Sequence, residues 1–237
     1  MMTTTAKAID LGADKPESLW GKARKRFFRH KLAMFGLITL SLLIFVSVAA
    51  PLLTPHSPTE IDLRAIRQPP SSTHWLGTDG TGRDVLTRVF YAGRISLSVG
   101  IVAVAISMVV GIIVGSIAGY AGGKVDMTLM RVTDVFMTFP SLVIIITVAA
   151  AMGPSVYNAM LVIGLLTWPS IARLVRGQFL TLREQQFVRA ARSIGVTRGQ
   201  IVFKHIFPNT VSSIAVALTI GVANIILLEA SLSFLGL

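Results

Sequence analysis

Between Thr181 and Asn209 the sequence reads TLREQQFVRAARSIGVTRGQIVFKHIFPN, a polar and basic stretch with apolar sequence on both sides. Thr181 and Glu184 have the spacing of a capping box, in which a hydroxyl and a carboxylate bind free backbone N–H groups at a helix start. Thr197 and Gln200 repeat that spacing. The stretch therefore predicts two short helices, each with its own N-terminal cap.

The first short helix carries an apolar stripe at the spacing i, i+3, i+4 and i+7, formed by Phe187, Ala190, Ala191 and Ile194. Arginine residues occupy other faces of this helix. Gly195 follows at the position where a glycine commonly ends a helix. Pro208 is predicted to end the second helix, because proline has no backbone N–H to donate. We expect a helix pair joined by a glycine elbow.

The composition indicates a membrane protein. Of the 237 residues, 53% are hydrophobic and 14% are charged, and the mean hydropathy is +0.71. Soluble domains contain about 25% charged residues. The chain has no cysteine, which excludes disulfides, thiolate nucleophiles and cysteine-ligated metal sites.

Five apolar runs are long enough to be transmembrane helices. They are Leu32–Leu53, Ile95–Tyr120, Val135–Met152, Val156–Ala172 and Thr210–Leu228. Pro140 and Pro169 interrupt the third and fourth runs, so we predict kinks there. The predicted fold is an all-α polytopic transmembrane helix bundle. Its predicted parts are a basic N-terminus (1–31), a first span (32–53), an extracytoplasmic segment (54–94) and a transmembrane domain (95–237) containing the 181–209 loop.

The 22 lysine and arginine residues are distributed unevenly. Eight precede the first span, five lie in 54–94, two lie between the second and third spans, and seven lie in 173–209. Cytoplasmic loops carry the excess of basic residues in membrane proteins. This rule predicts a cytoplasmic N-terminus and a cytoplasmic 181–209 loop. The net charge of +11 therefore indicates orientation rather than a nucleic-acid partner.

Gly111, Gly115 and Gly119 form a doubled GxxxG pattern in the second span. Small residues at this spacing let another helix approach closely. That helix could belong to the same chain or to a second subunit, and the sequence leaves both open.

No catalytic, cofactor-binding or metal site is predicted. The four histidines have no metal-binding spacing, and the cores of the predicted spans contain no carboxylate for an ion relay. The glycines between Gly77 and Gly82 lack the lysine of a phosphate-binding loop. Asp126 and Asp134 are interpreted as solvated loop charges.

Three motifs carry a resemblance to a known family. They are AAxxxG from Ala190 with Pro208 thirteen residues after Gly195, HWLGTDxxGRD from His74 to Asp84, and EASLSFLGL from Glu229 to Leu237. With them the chain resembles the C-type permease subunits of bacterial ABC importers, in the dipeptide, oligopeptide and nickel group. Arg189 replaces the acidic residue of the family's cytoplasmic loop, and His205 replaces its isoleucine.

The resemblance implies a subunit of the bacterial inner membrane that conducts peptides, with nickel or another small solute as the alternative. It implies a second permease subunit, two ATPase subunits that bind ATP and Mg, an extracytoplasmic solute-binding protein, and a sixth span after Leu237. It also implies a set of residues that contact the ATPase: Phe187, Arg189, Ala190, Ala191, Ile194, Gly195, His205, Pro208 and Asn209.

Three other interpretations of the chain remain. The 181–209 stretch could be an amphipathic hairpin on lipid headgroups. The protein could be an ion-coupled secondary transporter, which the charge-free spans disfavour. A DNA-binding helix-turn-helix is disfavoured because membrane spans adjoin both of its ends.

Overall fold

The computed structural model describes residues 19–153 and 155–235, and within them every regular element is a helix. The first part of the predicted basic N-terminus and the last two residues of the 95–237 domain lie outside these ranges. The helices are α1 (Leu19–Arg29), α2 (Lys31–Val48), α3 (Ala50–Leu53), α4 (Val85–Ala121), α5 (Gly123–Thr138), α6 (Ser141–Met152), α7 (Val156–Arg183), α8 (Gln186–Ser193), α9 (Arg198–Gln200) and α10 (Phe207–Phe234), with a π-helical segment at Ile201–Ile206.

Within the described ranges, four helices are long and apolar enough to cross a membrane. They are α2, α4, α7 and the continuous helix Arg198–Phe234. Helices α5 and α6 meet at an angle of 79° and together provide a fifth span if they are counted as one. The predicted helix bundle is confirmed, and the break at Pro140 lies where its proline ring ends helical hydrogen bonding. Helix α7 continues through Pro169.

Helices α4, α7 and α10 are longer than the predicted spans, and α10 covers Phe207–Phe234 rather than Thr210–Leu228. Helix α4 begins at Val85 rather than Ile95, because the Asp84 carboxylate accepts the Thr87 N–H at 2.7 Å and caps the helix there. Helix α7 extends beyond Ala172 to Arg183. The loop after the first span is therefore 54–84. The apolar runs in the sequence correspond only to the hydrophobic parts of these helices, and the polar ends of the helices lie outside the runs.

The core of the bundle is the contact between α4 and α7, and the three glycines of α4 lie in it. A methyl group added at Gly111 would lie 2.6 Å from Ile171 Cβ, and one added at Gly119 would lie 2.6 Å from Phe179 Cβ. At Gly115 it would lie 2.5 Å from the Ala172 carbonyl oxygen. The glycines thus pack α4 against a helix of the same chain, as small residues do between membrane helices.

Helix α5 is attached to α7 by ion pairs that local sequence patterns do not predict. The Arg176 guanidinium donates to both carboxylate oxygens of Asp126, at 2.5 and 2.7 Å. Arg173 donates to Asp134 at 2.6 Å. The interpretation of Asp126 and Asp134 as solvated loop charges is therefore wrong, because 123–138 is helical and faces the basic end of α7.

Asp79 orders the 54–84 loop. Asp79 accepts from the N–H and hydroxyl of Thr81, from Arg83 and from Arg88. Burial raises the pKa of Asp79, but these hydrogen bonds outweigh it and hold that pKa well below its ordinary value. The carboxylate thus holds the turn before α4 in place.

Candidate coupling surface

The first predicted capping box does not form. Helix α7 runs through Thr181, whose hydroxyl donates to the Gly177 carbonyl at 3.1 Å inside the helix. Helix α8 begins after Gln185, which provides no side-chain cap. A threonine inside a helix commonly binds the carbonyl four residues earlier, so the spacing alone misplaced the helix start. Glu184 instead ends α7 and forms ion pairs with Arg183 at 3.3 Å and with Arg189 at 3.1 Å.

Helix α8 has a buried face and an exposed face. Val188 and Ala191 are buried against the bundle. Phe187 is 42% exposed and Ile194 is 81% exposed, and Ala190 is also exposed. The predicted apolar stripe is therefore divided, because Ala191 packs inward while its other three residues remain available to a partner.

Gly195 ends α8 in a Schellman motif. Its φ of +83° lies in the left-handed region, where glycine has no steric penalty. The Val196 N–H binds the Ala191 carbonyl at 3.1 Å, and the Gly195 N–H binds the Arg192 carbonyl at 3.1 Å. The predicted glycine elbow is present, and its paired backbone groups define the angle at which the chain leaves α8.

The second capping box is present. The Thr197 hydroxyl accepts the Gln200 N–H at 3.4 Å, and the Gln200 side chain accepts the Thr197 N–H at 3.4 Å. The helix that starts here does not end at Pro208, so that prediction is wrong. A π-helical segment precedes α10, and Pro208 lies in the first turn of α10.

The π-helical segment accommodates Pro208 inside the continuous helix. The Phe207 N–H bonds to the Val202 carbonyl, five residues earlier. The Asn209 side chain donates to the His205 carbonyl at 2.6 Å and so satisfies an acceptor beside the proline. Shortly after the Gly195 elbow, a continuous helix therefore begins at Arg198 and runs into the last span.

The 184–209 segment presents apolar and basic side chains together. Phe203 is 74% exposed, in addition to the exposed residues of α8. Its exposed basic residues are Arg189, Arg192, Arg198 and Lys204. An exposed group of large apolar residues with a charged rim is typical of a protein-interaction surface. We call the exposed side chains of 184–209 the coupling surface.

The 54–84 loop brings together His56, His74 and Asp84, which the sequence spacing did not predict as a group. The His74 ring donates to Asp84 at 3.0 Å and stacks on the His56 ring, with 4.7 Å between centroids. The ligand atoms of the three residues lie within 4.8 Å of one another, so the group could hold a metal ion. Burial raises the pKa of Asp84, but hydrogen bonds from Thr87 and His74 leave that pKa below its ordinary value. Both carboxylate oxygens are already engaged by Thr87 and His74, which favours a role in fixing the start of α4.

Comparison with known protein families decides what kind of membrane protein carries these features. Residues 111–237 match the family described as binding-protein-dependent transport system inner membrane component. The chain belongs to this family. Residues 18–70 of this transport-system component also match the N-terminal transmembrane domain of oligopeptide transport permease C.

Individual relatives agree with this assignment over most of the permease chain. A dipeptide transport system permease protein DppC of Alkalihalophilus pseudofirmus is 42% identical, over 93% of this chain and 72% of its own length. An oligopeptide transport system permease protein OppC of Haemophilus influenzae is 41% identical, over 93% of this chain and 71% of its own length. A putative peptide permease protein of Brucella abortus is 41% identical, over 96% of this chain and 76% of its own length.

Proposed function

We propose that this permease subunit forms part of the path by which an ATP-driven importer moves peptides across the bacterial inner membrane. The relatives that support the choice of peptide are named for peptide, dipeptide or oligopeptide transport, and none of those reported above is named for nickel. The observation that carries the proposal is the coupling surface, an exposed apolar and basic face joined directly to two spans.

The proposed assembly contains a second permease subunit, two ATPase subunits and an extracytoplasmic solute-binding protein. ATP and Mg would bind to the ATPase subunits, where hydrolysis would take place. The permease subunit itself would supply the translocation path and a receptor for ATPase movement.

The proposed orientation places the N-terminus and the 184–209 segment in the cytoplasm. Helix α1 and the start of α2 carry basic residues immediately before the first span, and further basic residues lie on the 184–209 segment. The distribution of lysine and arginine favours this orientation. The 54–84 loop would then face the solute-binding protein.

The 184–209 segment is suited to transmit movement because it is held at both ends. Glu184 links the end of α7 to α8 through Arg183 and Arg189. Val188 and Ala191 fix α8 to the bundle, and the continuous helix from Arg198 carries any displacement into α10. Closure of the ATPase pair would therefore rotate α7 and α10 as rigid elements, as alternating access requires.

The chemistry of the coupling surface fits a groove on another protein. An α-helix that inserts apolar side chains into a groove is a common recognition mode. Phe187, Ala190 and Ile194 would occupy such a groove, and the small Ala190 would allow close approach. The surrounding arginines would pair with acidic groups at its rim.

Photo-crosslinking tests the proposed contact. Because the chain has no cysteine, Ala190→Cys can be labelled with a photoreactive maleimide in the purified complex. We expect capture of an ATPase subunit from position 190 and none from Thr59→Cys, which lies in the 54–84 loop. Capture from position 59, or none from 190 despite complete labelling, would contradict the proposal.

Uptake in proteoliposomes tests the energy source. We expect the complex to accumulate a peptide when ATP and Mg are present with the ATPase subunits and the solute-binding protein. Accumulation driven by an ion gradient without ATP would instead support the ion-coupled transporter that the sequence left open.

A further inference from the structure

A cavity of about 460 Å³ lies between α4, α7 and α10. Its walls are mostly apolar, formed by residues such as Val104, Ile171 and Ile220. Five polar side chains also line it, namely Ser107, Thr167, Ser170, Ser213 and Asn224. A largely apolar cavity of this size with a few polar groups has the character of a ligand site.

Four of the polar groups have no internal partner. Within residues 19–153 and 155–235, the side chains of Ser107, Ser170, Ser213 and Asn224 form no hydrogen bond. Thr167, by contrast, donates to the Ile163 carbonyl at 2.8 Å. These four groups therefore retain free hydrogen-bonding capacity that faces the cavity.

Some other serine and threonine hydroxyls on α4 and α10 bond to the backbone of their own helix. Ser98 and Ser116 on α4 and Thr219 on α10 each donate to a carbonyl of their own helix. An unpaired amide such as that of Asn224 is costly in contact with lipid. The cavity is thus suited to a polar occupant rather than to acyl chains.

The cavity carries no charge. None of its lining residues is aspartate, glutamate, lysine, arginine or histidine, so it offers neither ion pairs nor the usual ligands of nickel. Hydroxyl and carboxamide groups both donate and accept hydrogen bonds. A peptide backbone, with its alternating N–H and C=O groups, is the neutral partner that this lining complements.

We propose that this cavity is a section of the translocation path that binds the peptide backbone through Ser107, Ser170, Ser213 and Asn224. The proposal rests on the function proposed above. Its consequence is specificity for the backbone, with no selection by the charge of the peptide's side chains. A lining without charge forms no ion pairs with its cargo, and a transport path must release what it binds.

Cysteine accessibility tests whether the cavity is polar and occupied by peptide. In the intact complex, Ser170→Cys and Ser213→Cys are near-isosteric changes in a chain without native cysteine. We expect both to react with a charged, water-soluble thiosulfonate, and to react severalfold more slowly when peptide, solute-binding protein and ATP are supplied. Ser116→Cys is the control on α4, because Ser116 does not line the cavity and its hydroxyl donates to the Ile113 carbonyl. Any reaction at position 116 should not slow when peptide is supplied.

Two results of the labelling would overturn the proposal. The first is that Ser170→Cys and Ser213→Cys do not react with the reagent, which would show that lipid or another helix fills the cavity. The second is that they react but gain no protection from peptide. Failure of the wild-type complex to accumulate any peptide with ATP would contradict the proposed function instead, and labelling does not depend on that assay.

Recognition of the backbone is tested by comparing two peptides, one of them N-methylated, in the wild-type and variant proteins. We expect Asn224→Leu to reduce uptake of an unmodified tripeptide about tenfold and to have little further effect on the same tripeptide N-methylated at an internal peptide bond. The solute-binding protein is the same in all four measurements, so its preference for one of the two peptides affects wild-type and variant uptake equally and cancels. Thr219→Val, on the same helix with its hydroxyl already bound to Val216, should change neither rate. Equal effects of Asn224→Leu on both peptides, or no effect on either, would refute recognition of the backbone.

Discussion

The Arg176 guanidinium donates two hydrogen bonds to the Asp126 carboxylate, at 2.5 and 2.7 Å, although the two residues lie 50 positions apart in the sequence. The pair joins α5, the first helix of the bent α5–α6 pair, to α7, the helix that leads into the coupling surface. Its paired geometry depends on the planar fork of arginine. The α5–α6 pair is therefore attached to the helix that would carry movement from the ATPase.

The first prediction concerns this ion pair. Arg176→Lys keeps the charge but loses the paired geometry, and we expect it to lower the free energy of unfolding of the purified complex by about 2 kcal/mol. Asp126→Asn should have a similar effect, since it removes the charge to which the guanidinium donates both hydrogen bonds. Arg131→Lys on α5 is the control, because Arg131 forms no ion pair within the described residues. Thermal unfolding in detergent measures the three variants, and equal stability of all three would show that the pair contributes nothing.

The second prediction concerns close packing of α4 on α7. Gly115→Ala places a methyl group 2.5 Å from the Ala172 carbonyl, so the helices must separate. We expect a loss of about 1–3 kcal/mol and a lower yield of folded complex. Gly177→Ala is the control, because an added methyl group on that face of α7 meets no atom within 4 Å. Size-exclusion chromatography after heating compares them, and equal survival would contradict the packing.

The third prediction concerns the elbow of the coupling surface. A methyl group at Gly195 meets no atom within 4 Å, so its cost comes from the left-handed backbone alone. Gly195→Ala should cost about 1 kcal/mol and reduce uptake modestly. Gly195→Asn should cost less, because asparagine tolerates this conformation. Gly195→Pro should abolish uptake, since proline cannot adopt a φ of +83° and removes the N–H bonded to Arg192.

Transport and membrane insertion must both be measured for the Gly195 series. The expected order of uptake is asparagine, then alanine, then proline, with the amount of inserted protein unchanged. Uptake by Gly195→Pro at the wild-type rate would show that the elbow has no part in coupling.

How much of this structure was predictable from the sequence depends on the range of the interactions. The Thr197 cap and the Gly195 elbow form from residues three to five apart, and local spacing predicted both. The same reasoning failed at Thr181 and Pro208, where the neighbouring spans extend their helices through the expected boundaries.

Long-range contacts were the part that the sequence did not reveal. Segment 123–138 carries aspartates and segment 173–176 carries arginines, but their sequence positions do not show which of them pair. Only the fold brings Asp126 and Arg176 together. The contact between Ser96 and Glu229, at 2.8 Å, connects residues separated by 133 positions. The inward packing of Ala191 likewise depends on a bundle that a helical projection does not include.

The fourth prediction concerns pH and the 54–84 loop. Because the pKa of Asp79 is held below its ordinary value, its carboxylate stabilises the loop above the unfolded-state pKa, and that stability is lost as pH falls through the lowered pKa. Protease resistance of the loop should therefore stay constant from neutral pH to about pH 5. Asp79→Asn should make the loop protease-sensitive even at neutral pH.

Glu60→Gln is the control for the loop, because the Glu60 carboxylate is exposed and forms no side-chain hydrogen bond within the described residues. It should leave protease resistance unchanged. Equal resistance of Asp79→Asn and Glu60→Gln at neutral pH would show that Asp79 does not order the loop.

We infer that the exposed face of α8 transmits ATPase movement to the spans, and the amount of peptide transported per ATP hydrolysed measures this transmission. Ile194 is 81% exposed, so Ile194→Asp should leave the fold intact while placing a charge in the proposed groove. ATP hydrolysis and peptide uptake are measured in the same proteoliposomes, with Ile194→Leu as the apolar control at the same position. We expect Ile194→Asp to reduce the peptide transported per ATP hydrolysed at least tenfold, an effect of about 1.4 kcal/mol, while Ile194→Leu retains the wild-type ratio. A wild-type ratio for Ile194→Asp, with normal assembly, would contradict the claim.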